Sequence, residues 1–222
     1  MKHKIIKVIL ILTAVIAMTW FLKPVGLWLD QQVMEWLTNI HELQEQSLLY
    51  QSAEGITVLG SSTVFFLFAA GILAFLLWKR RYTMLAEMMI FLFGGIVINT
   101  LVKFLIARPR PHGILSEMEI MGEGIGLISY SFPSGHAFRA TLIMFCLLYV
   151  IACFSSLSAN AKRMLYIMVG ILALAVIASR TVIGVHYPTD VITAFLYAGT
   201  WFGIVLMVSP EKKTSFFHSA NS

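Results

Sequence analysis

The chain has 222 residues, of which 59% are hydrophobic and only 12% are charged. A soluble domain is typically about 45–50% apolar and about 25% charged, so the composition excludes an ordinary soluble protein and predicts a single integral membrane domain over residues 1–222. The net charge of +5 does not indicate nucleic-acid binding, because the basic residues lie at the ends of apolar runs rather than on one soluble face.

Six apolar runs are long enough to cross a bilayer, which takes roughly 20 residues in a helix. In chain order they cover about residues 5–22, 56–78, 84–106, 137–155, 164–184 and 189–208. We therefore predict an all-α membrane protein with a bundle of six transmembrane helices. An alternative for the first run is a cleaved signal peptide, since Val15-Ile16-Ala17 weakly resembles a cleavage site.

The basic residues predict the orientation of this bundle. Ten of the sixteen fall on one side of a six-span arrangement, and the positive-inside rule makes that side cytoplasmic. Both termini are then cytoplasmic, and the loops 23–55, 107–135 and 185–188 face outward. The ten residues are Lys2, Lys4, Lys7, Lys79, Arg80, Arg81, Lys162, Arg163, Lys212 and Lys213.

One amphipathic segment, VGLWLDQQVMEWLTNI at residues 25–40, lies outside the spans. Its predicted apolar face carries Leu29, Val33, Trp36, Leu37 and Ile40, and its predicted polar face carries Asp30, Gln31, Gln32 and Glu35. We predict a helix in the outer membrane interface, with Trp28 and Trp36 at headgroup level. Such a helix is either a gate for lipids or a surface helix that caps the bundle.

Ionisable residues inside membrane spans are costly, and they indicate a functional site by default. This chain places six of them at the outward ends of its predicted spans: Lys103, His136, Arg139, Arg180, His186 and Asp190. A buried positive cluster without an equal number of acids is expensive unless an anion joins it. We infer that this anion is the substrate.

The stretch KFLIARPRP, residues 103–111, supplies the first two cations. Pro109 pushes Arg108 out of helical geometry, so the helix is predicted to end there. Lys103 offers a point charge, and Arg110 offers a planar fork suited to phosphate oxygens. Taken alone, the two residues could equally be cations that snorkel at a span end.

The stretch YSFPSGHAFRA, residues 130–140, is predicted to start the next span. Ser134 is a good candidate for the N-cap, and Gly135 leaves the backbone open to close approach. The free N–H groups of a first helical turn bind anions, and His136 would point at the same anion. The alternative is a capped helix with an incidental histidine.

The stretch SRTVIGVHYPTDV, residues 179–191, joins the last two spans. Arg180 falls in the last turn of one helix, Gly184 permits a tight turn, and Pro188 suits the first position of the next helix. Asp190 can reach back to one nitrogen of His186 and leave the other free to attack. The alternative is a helix start with an Asp that the helix dipole favours.

Together, the three stretches resemble the signature of the type 2 phosphatidic acid phosphatase (PAP2) superfamily. The matching residues are Lys103, Arg110, Pro111, Pro133, Ser134, Gly135, His136, Ser179, Arg180, His186 and Asp190. Arg139 is outside this signature. We expect it to pair with Glu117, Glu119 or Glu123, or else to add a contact to a headgroup or a second phosphate.

The resemblance implies a phosphatase that needs no metal or other cofactor and forms a phosphohistidine. His186 would attack phosphorus, Asp190 would orient it, and His136 would protonate the leaving oxygen and then activate water. The residues expected to bind the phosphate oxygens are Lys103, Arg110, Ser134, Gly135 and Arg180. With no clustered carboxylates apparent in the sequence, a Mg²⁺ site is not expected.

The expected partners are a lipid phosphate and the bilayer, and the sequence leaves the oligomeric state open. The favoured substrate is a monoester such as phosphatidylglycerophosphate or phosphatidate, in bacterial lipid metabolism. The first alternative is undecaprenyl or another polyprenyl diphosphate in the recycling of a cell-wall lipid carrier. Less favoured are a lipid phosphotransferase, a vanadate-dependent haloperoxidase, and a transporter of anions or lipids without enzyme activity.

Overall fold

The computed structural model describes residues 23–41, 48–111, 118–120, 123–125, 130–154 and 157–209. Its helices are α1 (Lys23–His41), α2 (Leu48–Thr57), α3 (Ser62–Trp78), α4 (Tyr82–Ile106), α5 (Gly135–Phe154), α6 (Ala159–Val182) and α7 (Pro188–Val208), with a 3₁₀ turn at Val58–Gly60. An antiparallel pair, β1 (Met118–Ile120) and β2 (Glu123–Ile125), lies between α4 and α5. Apart from this short pair and the connecting loops the described chain is helical, which confirms the all-α prediction.

Four helices, α4 to α7, are long and apolar enough to cross a membrane. A fifth span results if α2, the 3₁₀ turn and α3 are counted together, with a bend of 45° between them. These five correspond to the second to sixth predicted runs. The first predicted run, residues 5–22, lies outside the described residues. The protein is therefore a multi-pass membrane protein, as predicted.

The bend before α3 allows the backbone to approach the centre of the bundle closely. Ser61 caps α3, since its hydroxyl accepts a hydrogen bond from the Val64 N–H at 3.3 Å. The preceding Gly60 packs against α5 and α6, where a Cβ would lie 2.9 Å from Val176 Cγ1 and 3.1 Å from the His136 carbonyl oxygen. Glycine is therefore the residue that fits at the bend.

Helix α5 is the centre of the bundle and contacts α3, α4, α6 and α7. Aromatic rings fill the space around it, with the Phe202 centroid 4.9 Å from that of Phe91 and 5.0 Å from that of Phe145. Large apolar side chains such as Leu67 and Leu105 are instead exposed on the outside of the bundle. This arrangement suits a protein whose outer surface contacts lipid tails.

A buried carboxylate joins three helices at the end of the bundle where α4 begins. Glu87 is 5% exposed and accepts a hydrogen bond from the Tyr149 hydroxyl at 3.4 Å. Its other oxygen accepts a hydrogen bond from the Ser209 hydroxyl, directly after α7. The contacts satisfy a polar group that would be costly to bury alone, and they tie α4 to α5 and α7.

The amphipathic segment is a helix, as predicted, but two residues of its faces were assigned wrongly. Asp30 is buried at 2% exposure, whereas Trp36 is 61% exposed. Helix α1 packs on the start of α7, where the carboxylate of Asp30 accepts hydrogen bonds from both the N–H and the hydroxyl of Thr189. These polar contacts override the hydrophobic pattern and turn Asp30 inward.

Close packing of α4 on α5 yields a test of the fold. We expect Gly95→Ala to lower the thermal unfolding midpoint in detergent, because an added Cβ would lie 2.8 Å from Leu142 Cδ2 and 3.3 Å from Phe138 Cε1. Overpacking of this kind costs about 1–3 kcal/mol. Gly71→Ala is the matched control, since a Cβ there meets nothing within 4 Å among the described residues. Equal midpoints for the two variants would contradict the packing.

Candidate active site

The three polar stretches meet at one end of the bundle. The Ser134 N–H donates to the Asp190 carbonyl at 3.2 Å, which joins the starts of α5 and α7. The Ser131 N–H donates to the Arg108 carbonyl at 2.8 Å, which joins the loop before α5 to the segment after α4. The end of α4 and the starts of α5 and α7 thus lie close together.

Two residues that the sequence placed in one functional pair lie together at this level. His186 Nδ1 lies 3.5 Å from Asp190 Oδ2 and 3.5 Å from Ser131 Oγ. The same carboxylate oxygen accepts hydrogen bonds from the Tyr187 N–H at 2.9 Å and from the Ser131 hydroxyl. The carboxylate therefore faces Nδ1 of the imidazole and not Nε2.

The local backbone explains why this pair forms. Gly184 has a φ of +82°, a left-handed conformation that glycine adopts at little cost, and it allows the chain to turn directly after α6. The His186 N–H then donates to the Arg180 carbonyl at 3.3 Å. Pro188 occupies the first turn of α7, as predicted, so Asp190 falls where its carboxylate caps the helix.

Burial lowers the pKa of two groups in the loops. The pKa of His186 is lowered to about 4, mainly because burial disfavours the charged imidazolium, although the hydrogen bond to Asp190 opposes this effect. His186 is therefore neutral at physiological pH, the form that can act as a nucleophile. Burial also lowers the pKa of Arg110, and the negative charge of Asp190 partly offsets this.

The start of α5 has the predicted features of an anion site. The Ser134 hydroxyl accepts a hydrogen bond from the Ala137 N–H at 3.5 Å, as expected for a helix cap. The N–H groups of Gly135 and His136 belong to the first turn, where a helix offers no internal acceptor. These donors and the positive end of the helix dipole favour a bound anion at this point.

Arg139 lies beside His136 rather than at the surface. Its Nε donates to the Gly60 carbonyl at 2.9 Å, and its Nη2 lies 3.3 Å from His136 Nδ1. Because a guanidinium has only donors, Nδ1 accepts this contact, and Nε2 is the nitrogen available for proton transfer. The predicted pairing with Glu117, Glu119 or Glu123 lies outside the described side chains.

The predicted phosphate-binding cations bind neutral oxygen atoms. Lys103 Nζ donates to the Tyr130 carbonyl at 2.5 Å, and Arg110 Nη1 donates to the Val185 carbonyl at 3.1 Å. Arg180 Nη1 donates to the Thr57 hydroxyl at 2.6 Å. The described contacts give Arg180 Nε no hydrogen-bond partner although it is buried, which is rare for a donor.

The sequence did not single out several residues of this region. In the sequence Arg108 marked only the predicted end of a helix, yet its Nη1 lies 2.8 Å from Asp190 Oδ1 and its Nη2 lies 2.7 Å from Asp30 Oδ2. Ser131 was missed as well. For Asp30 a signal was available, because it shares one line of the helix with Met34 and Leu37, both of which are buried.

Spans arranged as an apolar bundle, with cations and a His–Asp pair at one end, define a membrane protein with a polar, positively charged site. Comparison with known proteins agrees: residues 82–214 match the family model of the PAP2 superfamily. The chain belongs to this superfamily.

A sequence relative and a solved structure that resemble this chain both come from Bacillus subtilis. The chain is 31% identical over 166 residues to phosphatidylglycerophosphatase B of strain 168. The aligned region covers 74% of this chain and 77% of that protein. It also resembles the crystal structure of a transmembrane PAP2-type phosphatidylglycerolphosphate phosphatase. The TM-score is 0.66 at 24% identity, with 92% of this chain and 94% of the other covered, so this structure supports the fold.

The unpartnered nitrogen of Arg180 generates a binding prediction. We expect inorganic phosphate to raise the thermal unfolding midpoint of the purified protein, and Arg180→Gln to weaken this apparent affinity roughly tenfold or more, since a charged hydrogen bond is lost. Arg163→Gln is the matched control, because Arg163 is exposed near the other end of the same helix. Equal stabilisation of both variants by phosphate would rule out Arg180 as an anion ligand.

Proposed function

We propose that the protein is an integral membrane phosphatase that hydrolyses a lipid phosphomonoester of the phosphatidylglycerophosphate or phosphatidate type. The observation that carries this proposal is the contact of His186 with Asp190 beside the partly buried cations Lys103, Arg110 and Arg180. The relative from Bacillus subtilis, which is named for activity on phosphatidylglycerophosphate, supports the choice of substrate class.

The proposed reaction has two steps with His186 as the nucleophile. Its Nε2 attacks phosphorus, the bond from phosphorus to the lipid oxygen breaks, and His136 supplies the proton that this oxygen takes up. Water then attacks the phosphohistidine, with His136 now accepting the proton of the water, and inorganic phosphate leaves. Asp190 supports both steps because it orients the imidazole and stabilises the positive charge that forms on it.

Electrostatic stabilisation of the phosphoryl oxygens is assigned to the predicted phosphate-binding set: Lys103, Arg110, Ser134, Gly135 and Arg180. In phosphoryl transfer, positioning and charge stabilisation supply almost all of the catalysis. Three fixed cations can perform the neutralisation that a metal ion performs in other phosphatases. Within the described residues, His, Cys, Asp and Glu side chains do not gather in groups of three that could hold a metal.

We propose that the site faces outward and that both termini are cytoplasmic. The support is the ten basic residues that fall on the opposite side of the six-span arrangement. A site at the end of the bundle suits a lipid substrate, because the headgroup can reach the cations while the tails remain in the bilayer. A transporter would also use buried cations, but it would not require the pairing of His186 with Asp190.

The role of His186 is tested by its removal. We expect His186→Ala to lower kcat by roughly a thousandfold or more, as loss of a nucleophile does, and to abolish phosphoryl labelling of the protein. The label is measured after acid-free quenching with a ³²P-labelled lipid phosphate, since phosphohistidine is labile to acid. Arg163→Gln should keep both turnover and label. Normal turnover by His186→Ala would refute the assignment. Turnover by the parent protein without a phosphoryl label, under conditions in which a control protein is labelled, would refute the covalent step.

The substrate class is tested by release of phosphate from a panel of lipids in one detergent with excess EDTA. We expect phosphatidylglycerophosphate or phosphatidate to give a higher kcat/KM than polyprenyl diphosphate, with no loss of rate in EDTA. A preference for polyprenyl diphosphate would instead support a role in recycling a cell-wall lipid carrier. Phosphate found on an alcohol acceptor would indicate a phosphotransferase, and a strict requirement for Mg²⁺ would contradict the mechanism.

A further inference from the structure

We propose that Asp30, acting through Arg108, is a positioning residue for the His186–Asp190 pair. Helix α1 would then be a working part of the active site in addition to covering the bundle. This inference rests on the proposed function, because it concerns the orientation of the proposed nucleophile.

The first step of the argument concerns the two oxygens of Asp190. Oδ1 accepts a hydrogen bond from Arg108 Nη1 at 2.8 Å, whereas Oδ2 faces His186 Nδ1. A carboxylate whose one oxygen is held by a guanidinium has its rotation fixed, so its other oxygen is directed at the imidazole. Together with the Tyr187 N–H and the Ser131 hydroxyl on Oδ2, Arg108 thereby fixes the orientation of the carboxylate toward His186.

The second step concerns Arg108 itself, whose guanidinium is fixed from several sides. Nη1 also donates to the Thr189 hydroxyl at 2.8 Å, and Nη2 donates to Asp30 Oδ2 at 2.7 Å. The guanidinium carbon lies 3.9 Å from the centroid of the Tyr187 ring, in the range of a cation–π contact. Asp30 supplies the charged partner on the side away from Asp190.

The third step is that Asp30 has a fixed position of its own. Its Oδ1 accepts a hydrogen bond from the Thr189 N–H at 2.9 Å, and its Oδ2 accepts one from the Thr189 hydroxyl at 2.6 Å. A Cβ on Gly26, one turn earlier, would lie 2.9 Å from Thr189 Cγ2, so α1 approaches α7 closely here. Because Asp30 is fixed in this way, the position of α1 determines where Asp30 binds Arg108.

Burial separates this network from an ordinary ion pair at a surface. The side chains of Asp30 and Asp190 are 3% and 0% exposed, and that of Arg108 is 19% exposed. Exposed pairs contribute little because water screens them, whereas the loss of one member of a buried pair leaves an uncompensated charge. Two carboxylates and one guanidinium leave a net charge of −1 beside His186.

The charges predict pH effects of opposite sign for the two residues. His186 also faces the charge of Asp190 on α7, Arg180 on α6 and Arg110 in the loop after α4, and His136 on α5 lies close enough to interact with it. Removal of the Arg108 charge makes the surroundings more negative and favours imidazolium. Removal of the Asp30 charge makes the surroundings less negative and disfavours imidazolium.

The test compares Asp30→Asn, Arg108→Gln and the matched control Glu35→Gln, an exposed acid on the same helix, in the full-length protein in detergent. We expect Asp30→Asn to lower kcat roughly tenfold with little change in KM, and to move the acid limb of kcat/KM to lower pH. Arg108→Gln should move that limb to higher pH. Glu35→Gln should match the parent protein in every respect.

The direction of the two pH shifts decides whether Asp30 and Arg108 position the His186–Asp190 pair. Shifts of opposite sign support the proposal, whereas an unchanged acid limb, or shifts of the same sign, would overturn it. If Arg108→Gln does not fold, Asp30→Asn decides alone, and an unchanged limb or a shift to higher pH counts against the proposal. Absence of phosphatase activity in the parent protein would refute the proposed function, which is a different outcome from active variants without shifts.

Discussion

The carboxylate of Asp190 is the group around which the polar end of this bundle is built. It has no exposed surface, and a buried charge of this kind is stable only when hydrogen bonds and an opposite charge replace its water. Arg108, Ser131 and the Tyr187 N–H provide this replacement. Because these donors come from the segment after α4, the loop before α5 and the start of α7, satisfying one carboxylate fixes the relative positions of three segments.

The second constraint is the excess of positive charge around that carboxylate. Lys103, Arg110 and Arg180 make their described hydrogen bonds to carbonyl and hydroxyl oxygens, which orient the cations without neutralising them. The protein thus holds three positive charges in a partly buried place, where the negative charge of Asp190 acts on Arg110. Attraction for an anion is strong under these conditions, because the surrounding low-dielectric bundle screens the charges poorly.

The sequence predicted the spans well because lipid imposes a simple rule on them: long apolar runs must be helices. It also predicted the meeting of His186 with Asp190, since a spacing of four residues across a helix start brings the two side chains within reach of each other. It did not predict the inward turn of Asp30 or the contact of Arg108 with Asp190. Those contacts join residues 78 and 82 positions apart in the sequence, and hydrophobic periodicity carries no information about such partners.

Asp30 also shows why a pattern can mislead on an interfacial helix. Counting apolar residues placed Trp36 on the inner face, but Trp28 and Trp36 are both 61% exposed, as amphipathic rings at a membrane surface can be. The inner face is instead set by a carboxylate that replaces its lost water with Arg108 and Thr189. A helix held to the bundle by a buried ion pair cannot move away without exposing an unpaired charge. The contacts of Asp30 that hold α1 on the bundle therefore also fix a negative charge near His186.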